Sequence, residues 1–436
     1  MTVSANRRVI ADEQARHWRK RKLKFVSDVR TSNVDKHIVE GEAAVRLCNY
    51  TDVYYHEKIT PDMPFMQGSA TESEIERFGL KKGQVLLTKD SESWEDIAVP
   101  ACVSETMPEV VCGYHLAVIE PVSGEVDGRF LSWLAQSPVL NDQFKLSAKG
   151  VTRFGLSQHA LKNAVIDVPP LEYQLKVAAF LDRKTAEIDT LIAKKRRLLD
   201  RLAEKRTALI TRAVTKGLNP DAPMKDSGIE WLGEIPAHWD VRSLRRVSSK
   251  VRTGSTPPST GADYFCDEGI DWYTPGDISD DIALGRATKR LSADAVDDGV
   301  CRLFPSNSIL IVGIGATLGK IAVATREFSA NQQINVVLTI PIVDHRYLAY
   351  YLYSRRAELK MMSAASTLGI INQERTKQFP CPIPPLQEQR EIAEYCRGKI
   401  AETADTEWKI DVAVERLKEY RSALITNAVT GQIKVA

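Results

Sequence analysis

One stretch of this chain occurs twice, and it narrows the possible folds more than any other feature. Val168 to Thr215 and Ile383 to Thr430 align at a constant offset of 215 residues without a gap, and 20 of the 48 aligned positions are identical. Both copies open on Pro-Pro-Leu (Pro169-Pro170-Leu171 and Pro384-Pro385-Leu386) and place a glutamine at the same step, Gln174 and Gln389. They close on RTALITRAVT (206–215) and RSALITNAVT (421–430). A gap-free repeat of this length is one structural unit used twice.

Each copy reads as a long helix. The prolines suit a first helical turn, where the missing N–H has no partner to lose, and they bar extension backwards. No further proline occurs before Gly217 or Gly431, and Gly398 is the only interior glycine. Apolar residues recur at alternating steps of three and four: Leu171, Ala178, Leu181, Ile188, Ile192, Leu199, Leu202, Leu209 and Ala213. Leu386, Ala393, Cys396, Ile400, Ile410, Val414, Leu417, Leu424 and Ala428 follow the same frame. That period of 3.5 is a coiled-coil seam, on a rod of roughly 65 Å at about 1.5 Å per residue. Two rods with matched seams in one chain are expected to pack on each other. Gln174, Gln389, Arg206 and Arg421 are polar residues on the seam frame, a placement that fixes helix register or docks a partner.

The rest of the chain also repeats. HWRKRKLKFV (17–26) parallels HWDVRSLRRV (238–247), LKKGQVLL (80–87) parallels LFPSNSIL (303–310), and RFLSWLAQS (129–137) parallels RYLAYYLYS (346–354). Offsets drift between 215 and 225 in these segments, so they diverged by insertion while the rods did not. Short alternating runs (Ala43–Val53, Val85–Thr88, Ile97–Val103, Val110–Ile119) separated by turn residues predict a mainly β unit, and Arg129–Gln143 predicts a helix. The expected order is a tail (1–16), a first globule (17–167), a first helical region (168–216), a Pro/Gly-rich linker (217–237), a second globule (238–382) and a second helical region (383–436). The fold class is α+β: two mainly β domains separated by two long antiparallel helices forming an intramolecular coiled coil, with a pseudo-twofold internal repeat.

Composition excludes several alternatives. At 436 residues, 43% hydrophobic and 27% charged, with a net charge of +2, the chain carries no global signal for nucleic acid or membrane. The charge is local: Glu172 to Lys216 holds twelve Lys/Arg against six Asp/Glu, either a solvated face or a binding one. Seven scattered cysteines, none in C-x-x-C spacing, argue for a reducing compartment and against zinc or a disulfide framework. No secretory signal is read at the N-terminus, and the longest uncharged apolar run, 309–319, is too short to span a bilayer. A cytoplasmic protein is expected.

Enzyme chemistry is not visible either. An adenine amino-methyltransferase needs a D/N-P-P-F/Y motif, whereas both double prolines here are followed by leucine. GIGATLGK (313–320) lacks the spacing of a phosphate loop and reads as a turn between strands. Glu358-Leu359-Lys360 has the carboxylate–lysine spacing of some nucleases but falls in a predicted helix without an upstream Pro-Asp. His17 and His238 stand at equivalent positions beside tryptophans, which suits a structural role. No catalytic residue and no metal site is expected.

With these features together, the chain strongly resembles the specificity (S) subunit of type I restriction–modification systems. PPLEYQ (169–174) and PPLQEQ (384–389), the RTALIT and RSALIT endings, SGIEWLGEIPAHW (227–239), and GKIAV (319–323) followed by ANQQIN (330–335) carry the resemblance. Two departures are Tyr173, where the family usually has Glu, and the absence of the SGIEWLGEIP lead-in before the first globule. The resemblance implies two target-recognition domains, each reading one half of a bipartite asymmetric sequence in double-stranded DNA. It further implies helices that set the spacer and dock two methyltransferase (M) subunits, with motor–nuclease (R) subunits joining that complex. S-adenosylmethionine, ATP and Mg would belong to those partners, and this chain would hold no cofactor.

Base edges and phosphates are met by Arg, Lys, Asn, Gln, Ser and Thr on Gly-bearing loops. This ranks Lys89, Ser91, Ser93, Lys149, Thr152 and Arg153 as DNA-binding candidates in the first globule. In the second it ranks Thr253, Ser255, Thr256, Thr317, Lys320, Gln332, Gln333, Thr367 and Asn372. Two other readings remain open: the recognition subunit of a related type II enzyme, and a coiled-coil scaffold carrying two protein-binding modules.

Overall fold

A computed structural model describes residues 18–258, 264–279, 282–363 and 369–435. The tail 1–16, His17 and Thr367 therefore lie outside the described residues. The two repeated stretches are helices, Leu171–Lys216 of 46 residues and Leu386–Val429 of 44. Each starts directly after its double proline. Each stops at a glycine in the left-handed region, Gly217 at φ +74° and Gly431 at φ +72°, where a side chain would be strained. The chain forms an α+β fold in two compact units, one from residues up to 196 together with those from 412 onward, the other from 197 to 411. Each unit thus contains one globule and a portion of both long helices.

In the first unit, a five-stranded sheet runs in the order Ser27–Thr31, Leu116–Pro121, Val85–Thr88, Pro100–Val103, Lys58–Ile59. A four-stranded sheet runs Met66–Ala70, Ala43–Cys48, Met107–Cys112, Gly79–Leu80. Val85–Thr88 and Pro100–Val103 are buried at every position, as strands covered on both faces must be. Leu47, Val110, Leu86 and Val118 belong to one core cluster that both sheets share.

The predicted β runs are longer than the strands, for local reasons. Ala43–Val53 breaks at Asn49, which makes a capping box with Asp52 and starts the helix Tyr50–Tyr55. Val110–Ile119 breaks at Gly113, where a Cβ would sit 3.0 Å from the Cys48 carbonyl oxygen, and its halves enter different sheets. The helix predicted over 129–143 is two helices, Gly128–Gln136 and Pro138–Ser147, because Pro138 has no N–H to continue the first.

In the second unit, the sheets run Ser248–Thr253, Ile334–Thr339, Ile309–Val312, Ile321–Val323 and Phe265–Cys266, Lys289–Leu291, Ile270–Tyr273, Phe328–Ala330, Leu303–Phe304. The plan follows that of the first unit. Ala43–Cys48 beside Met107–Cys112 and Ile270–Tyr273 beside Phe328–Ala330 are the corresponding parallel pairs among mostly antiparallel neighbours. GIGATLGK is the turn joining Ile309–Val312 to Ile321–Val323, closed by Val312 N–H to Lys320 O at 2.9 Å and Gly319 N–H to Val312 O at 2.8 Å.

A short antiparallel pair brings each globule to its helix: Arg19–Lys22 with Val165–Val168, and Asp240–Ser243 with Pro380–Ile383. The tryptophan before each pair packs on a helix-ending glycine of its own unit. A Cβ added to Gly431 would lie 2.9 Å from the Trp18 ring, and one added to Gly217 would lie 3.3 Å from the Trp239 ring. Trp239 is fully buried, which removes roughly 200 Å² of mostly apolar surface from water.

Most of the seam frame is buried, the centres of both helices included. Ala178, Leu181, Ile188, Ile192, Ala213, Ala393, Cys396, Ile410, Val414, Leu424 and Ala428 are buried, while Leu199, Leu202, Leu209, Ile400 and Leu417 are half-exposed. Thr185 also lies buried on the first helix, its hydroxyl bonded to Leu181 O at 2.7 Å. Among the described residues, no helix is long and apolar enough to cross a membrane.

Candidate nucleic-acid interface

The two seam glutamines perform a task the sequence did not reveal. Gln174 is fully buried; its side-chain oxygen accepts from Asp127 N–H (2.8 Å), and its nitrogen donates to Glu125 O (3.0 Å) and Pro169 O (2.8 Å). Gln389, equally buried, accepts from Asp344 N–H (2.8 Å) and donates to Ile342 O (3.1 Å) and Pro384 O (2.8 Å). Asp127 and Asp344 each cap the next helix, accepting from two backbone N–H groups. The expectation that these glutamines set helix register or meet a partner is therefore corrected. With its amide bonded both to its own globule and to the proline that opens its helix, each glutamine locks a globule to the start of its helix.

The seam arginines do bridge elements. Arg206 Nη1 lies 3.0 Å from Glu407 Oε2 within the second unit. In the first unit Arg421 pairs with Asp189 at 3.0 Å and with Glu57, and its guanidinium lies 5.8 Å from the centre of the Trp133 ring.

In the first globule three of the candidates, Ser91, Ser93 and Arg153, line a cavity of about 650 Å³. The loop after Ser147 returns as Phe154–Gly155, which pairs with Asp90–Ser91. This sets Arg153 against His115, its Nη2 at 2.8 Å from Nδ1, while Asp90 Oδ2 lies 3.2 Å from the same nitrogen. Lys149 and Thr152 stand exposed on that loop, and Lys89 is paired with Asp90 at 3.4 Å. Ser91 and Ser93 serve the turn instead. Ser91 is buried and accepts from Ser93 N–H, and Ser93 accepts from Glu95 N–H. The opposite wall is tyrosine: Tyr50, Tyr54 and Tyr55 share one short helix, and a hydrogen bond to Asp96 holds the Tyr54 phenol above its ordinary pKa. Base ranking by side-chain type passed over Asp90, His115 and these tyrosines. The alternation around YTDVYY looked like strand, and the Asn-x-x-Asp capping box was the signal that could have revealed the helix.

In the second globule, Thr253, Gln332, Gln333 and Asn372 line a single cavity of about 340 Å³. Ser255 and Thr256 continue the same loop. Ser255 accepts from Arg302 N–H at 2.8 Å, and the Thr256 hydroxyl donates to the Gln332 side-chain oxygen. The orientation of the amides is constrained. Asn372 Oδ1 accepts from Arg375 N–H at 3.0 Å, as the cap of the helix Gln373–Gln378. Asn331 Oδ1 accepts from Gln333 N–H at 3.0 Å, which turns the Asn331 nitrogen onto the Gln333 side-chain oxygen at 3.1 Å. The oxygens of Gln332, Gln333 and Asn372 are all engaged. Thr317 and Lys320 lie apart in the 313–320 turn, and the Lys320 ammonium donates to Ile278 O at 3.1 Å.

Residues 47–200 and 236–415 match the family model described as the type I restriction modification DNA specificity domain. The chain belongs to that family. A Methanocaldococcus jannaschii protein named for the specificity subunit of the type I restriction enzyme MjaX is 24% identical over 372 residues, 84% of this chain and 81% of that one. The MjaIX specificity subunit of the same organism is 30% identical over 167 residues, 37% of this chain and 38% of its own. Among solved structures, the HsdS subunit from Thermoanaerobacter tengcongensis superimposes with a TM-score of 0.55 at 17% identity over 96% of this chain and 98% of that one. A chain from a study of type I R-M complex assembly and conformational transition superimposes with a TM-score of 0.69 at 18% identity, over 95% and 98%. At such identities the likeness is one of fold. The repeated segments PPLEYQ and PPLQEQ carry the two glutamine locks. The ANQQIN segment supplies Asn331, Gln332 and Gln333 to the second cavity and its rim.

Proposed function

We propose that this chain is the non-catalytic recognition subunit of a type I complex, and that each globule (17–167 and 238–382) reads one half of a bipartite, asymmetric target in double-stranded DNA. One observation carries the reading: the two units join their helices through the same hydrogen bonds, yet present different chemistry in the cavities that hold the candidate residues. The first offers Arg153, His115, Asp90 and tyrosine. The second offers amide nitrogens whose oxygens are committed, so it favours acceptor atoms such as purine N7, guanine O6 or thymine O4.

The helical regions 168–216 and 383–436 act as the spacer. They pair as an antiparallel intramolecular coiled coil with pseudo-twofold symmetry, a reading supported by the order of their ion pairs. Asp189 meets Arg421 in the first unit and Arg206 meets Glu407 in the second, so the pairing moves back along the second helix as it advances along the first. Their outward faces dock two methyltransferase subunits, which bring S-adenosylmethionine. Motor–nuclease subunits, using ATP and Mg, join through that assembly in the cytoplasm. The linker 217–237 joins the first helical region to the second reading domain and contributes Leu232 and Ile235 to the core of that unit.

The test is binding of the chain with its methyltransferase partner to duplexes whose two half-sites are moved apart by one base pair. The expected result is a loss of about tenfold or more, of the order of one mismatched base pair or greater. Binding indifferent to the gap would remove the spacer role.

A further inference from the structure

The second unit holds an overcharged site outside the cavity just described. Asp271, on the strand Ile270–Tyr273, has no side-chain exposure, and its Oδ1 accepts from Ala287 N–H at 3.2 Å. Three guanidiniums converge on this one carboxylate: Arg286 Nη1 at 3.6 Å, Arg290 Nε at 3.6 Å and Arg326 Nη1 at 3.8 Å. One arginine would neutralise it. The other two leave an excess of positive charge, and among the described residues no second carboxylate pairs with Arg286 or Arg326. Their side chains are 59% and 44% exposed, while Arg290 is held inward by Asp267 O, with its Nε buried and without a hydrogen bond. Like charges gathered at such range repel unless an anion joins them, and planar guanidiniums suit the paired oxygens of a phosphate. The corresponding strand of the first unit has only Arg46 with Glu109, one charge against one.

We propose that Arg286 and Arg326, positioned by buried Asp271, clamp a backbone phosphate of the DNA, a sequence-independent grip that only the second unit possesses. The inference rests on the DNA-reading function proposed above.

It is tested with the full chain, wild type and Arg286→Gln/Arg326→Gln, by titrating a mixed-sequence duplex over a series of salt concentrations. For every phosphate charge that an arginine no longer neutralises, the slope of log K against log salt should become shallower by about 0.9. The double variant should therefore be shallower by about 1.8, keep its melting temperature, and keep its preference for target over random sequence. An unchanged slope with a lowered melt would mean that the arginines only neutralise Asp271, and would overturn the clamp. So would an unchanged slope with failed assembly onto the methyltransferase partner, which would make the site a protein interface. If the double variant does not fold, Arg326→Gln alone should show about half the slope change. Wild-type chain that binds no duplex even together with its methyltransferase partner would instead bring down the proposed function, and the clamp with it.

Discussion

The joints and the cavities of the two units teach opposite lessons. At the joints, Gln174 and Gln389 make the same three hydrogen bonds to equivalent backbone groups. In the cavities, little is shared: an Arg153–His115–Asp90 group faced by tyrosines in one, and amides with engaged oxygens in the other. A buried joint tolerates no change, because each missing partner leaves a polar group unpaired. An exposed loop can exchange side chains without disturbing the sheet beneath. The same fold can thus carry two unlike cavities on like joints.

The largest effect should come from breaking the joint. Gln174→Ala strands Asp127 N–H, Glu125 O and Pro169 O, and Gln389→Ala strands their counterparts. Each should cost about 3 kcal/mol, and the two costs should agree within about 1 kcal/mol in denaturant unfolding of the full chain. A tolerant glutamine at either position would break the equivalence of the joints.

Next come the reading surfaces, where the substitutions should separate the units rather than unite them. Asn372→Ala or Gln333→Ala should relax discrimination by about 1–3 kcal/mol at bases in one half-site only, and Arg153→Ala should do so only in the other. Competition binding with single-base variants of each half would measure this. A loss spread over both halves would contradict independent readers.

Smaller differences are expected where the helices end. Gly217→Ala and Gly431→Ala both force a side chain into the left-handed region, at about 1–2 kcal/mol. Gly431→Ala should be the costlier, because its Cβ would meet Trp18 at 2.9 Å against 3.3 Å at Trp239. Thermal melting of the two variants ranks them, and the reverse order would show that the tryptophan packing differs in more than spacing.

The smallest effect is a pH dependence at the second joint. Burial pushes the Asp344 carboxyl up, but the Arg346 side chain and Tyr347 N–H outweigh it and hold its pKa below the ordinary carboxylate value. A depressed folded-state pKa gives stability that is complete above the unfolded value, about 3.9, and is lost as pH falls through the folded one. Acid titration of stability should therefore show a component below about pH 4 that disappears in Asp344→Asn. An unchanged acid profile in that variant would assign the component elsewhere.

The helices and their boundaries were legible in the sequence because proline, glycine and a 3.5-residue period act locally. The repeat also disclosed that the globules share a plan. The role of Gln174 and Gln389 was not legible: a seam position names the helix face, but the partners lie 47 and 45 residues away, at Asp127 and Asp344. Candidate base readers were ranked by side-chain type, which found Arg153, Gln332, Gln333 and Asn372 at cavities. It could not foresee that Ser91 would be buried, that Lys320 would be spent on Ile278 O, or that His115 and Asp90 would be brought to Arg153 by segments from elsewhere in the chain. Asp271 and its arginines were invisible for the same reason, since they converge from a strand, a neighbouring strand and two loops.

The most direct test of two different readers on equivalent joints is a map of methylated adenines in genomic DNA from cells carrying this chain with its methyltransferase partner, alongside cells lacking the chain. The account expects methylation that depends on the chain and falls on one two-part sequence, with unlike halves and a constant gap. Sites that persist without the chain, or a single uninterrupted sequence, would contradict it.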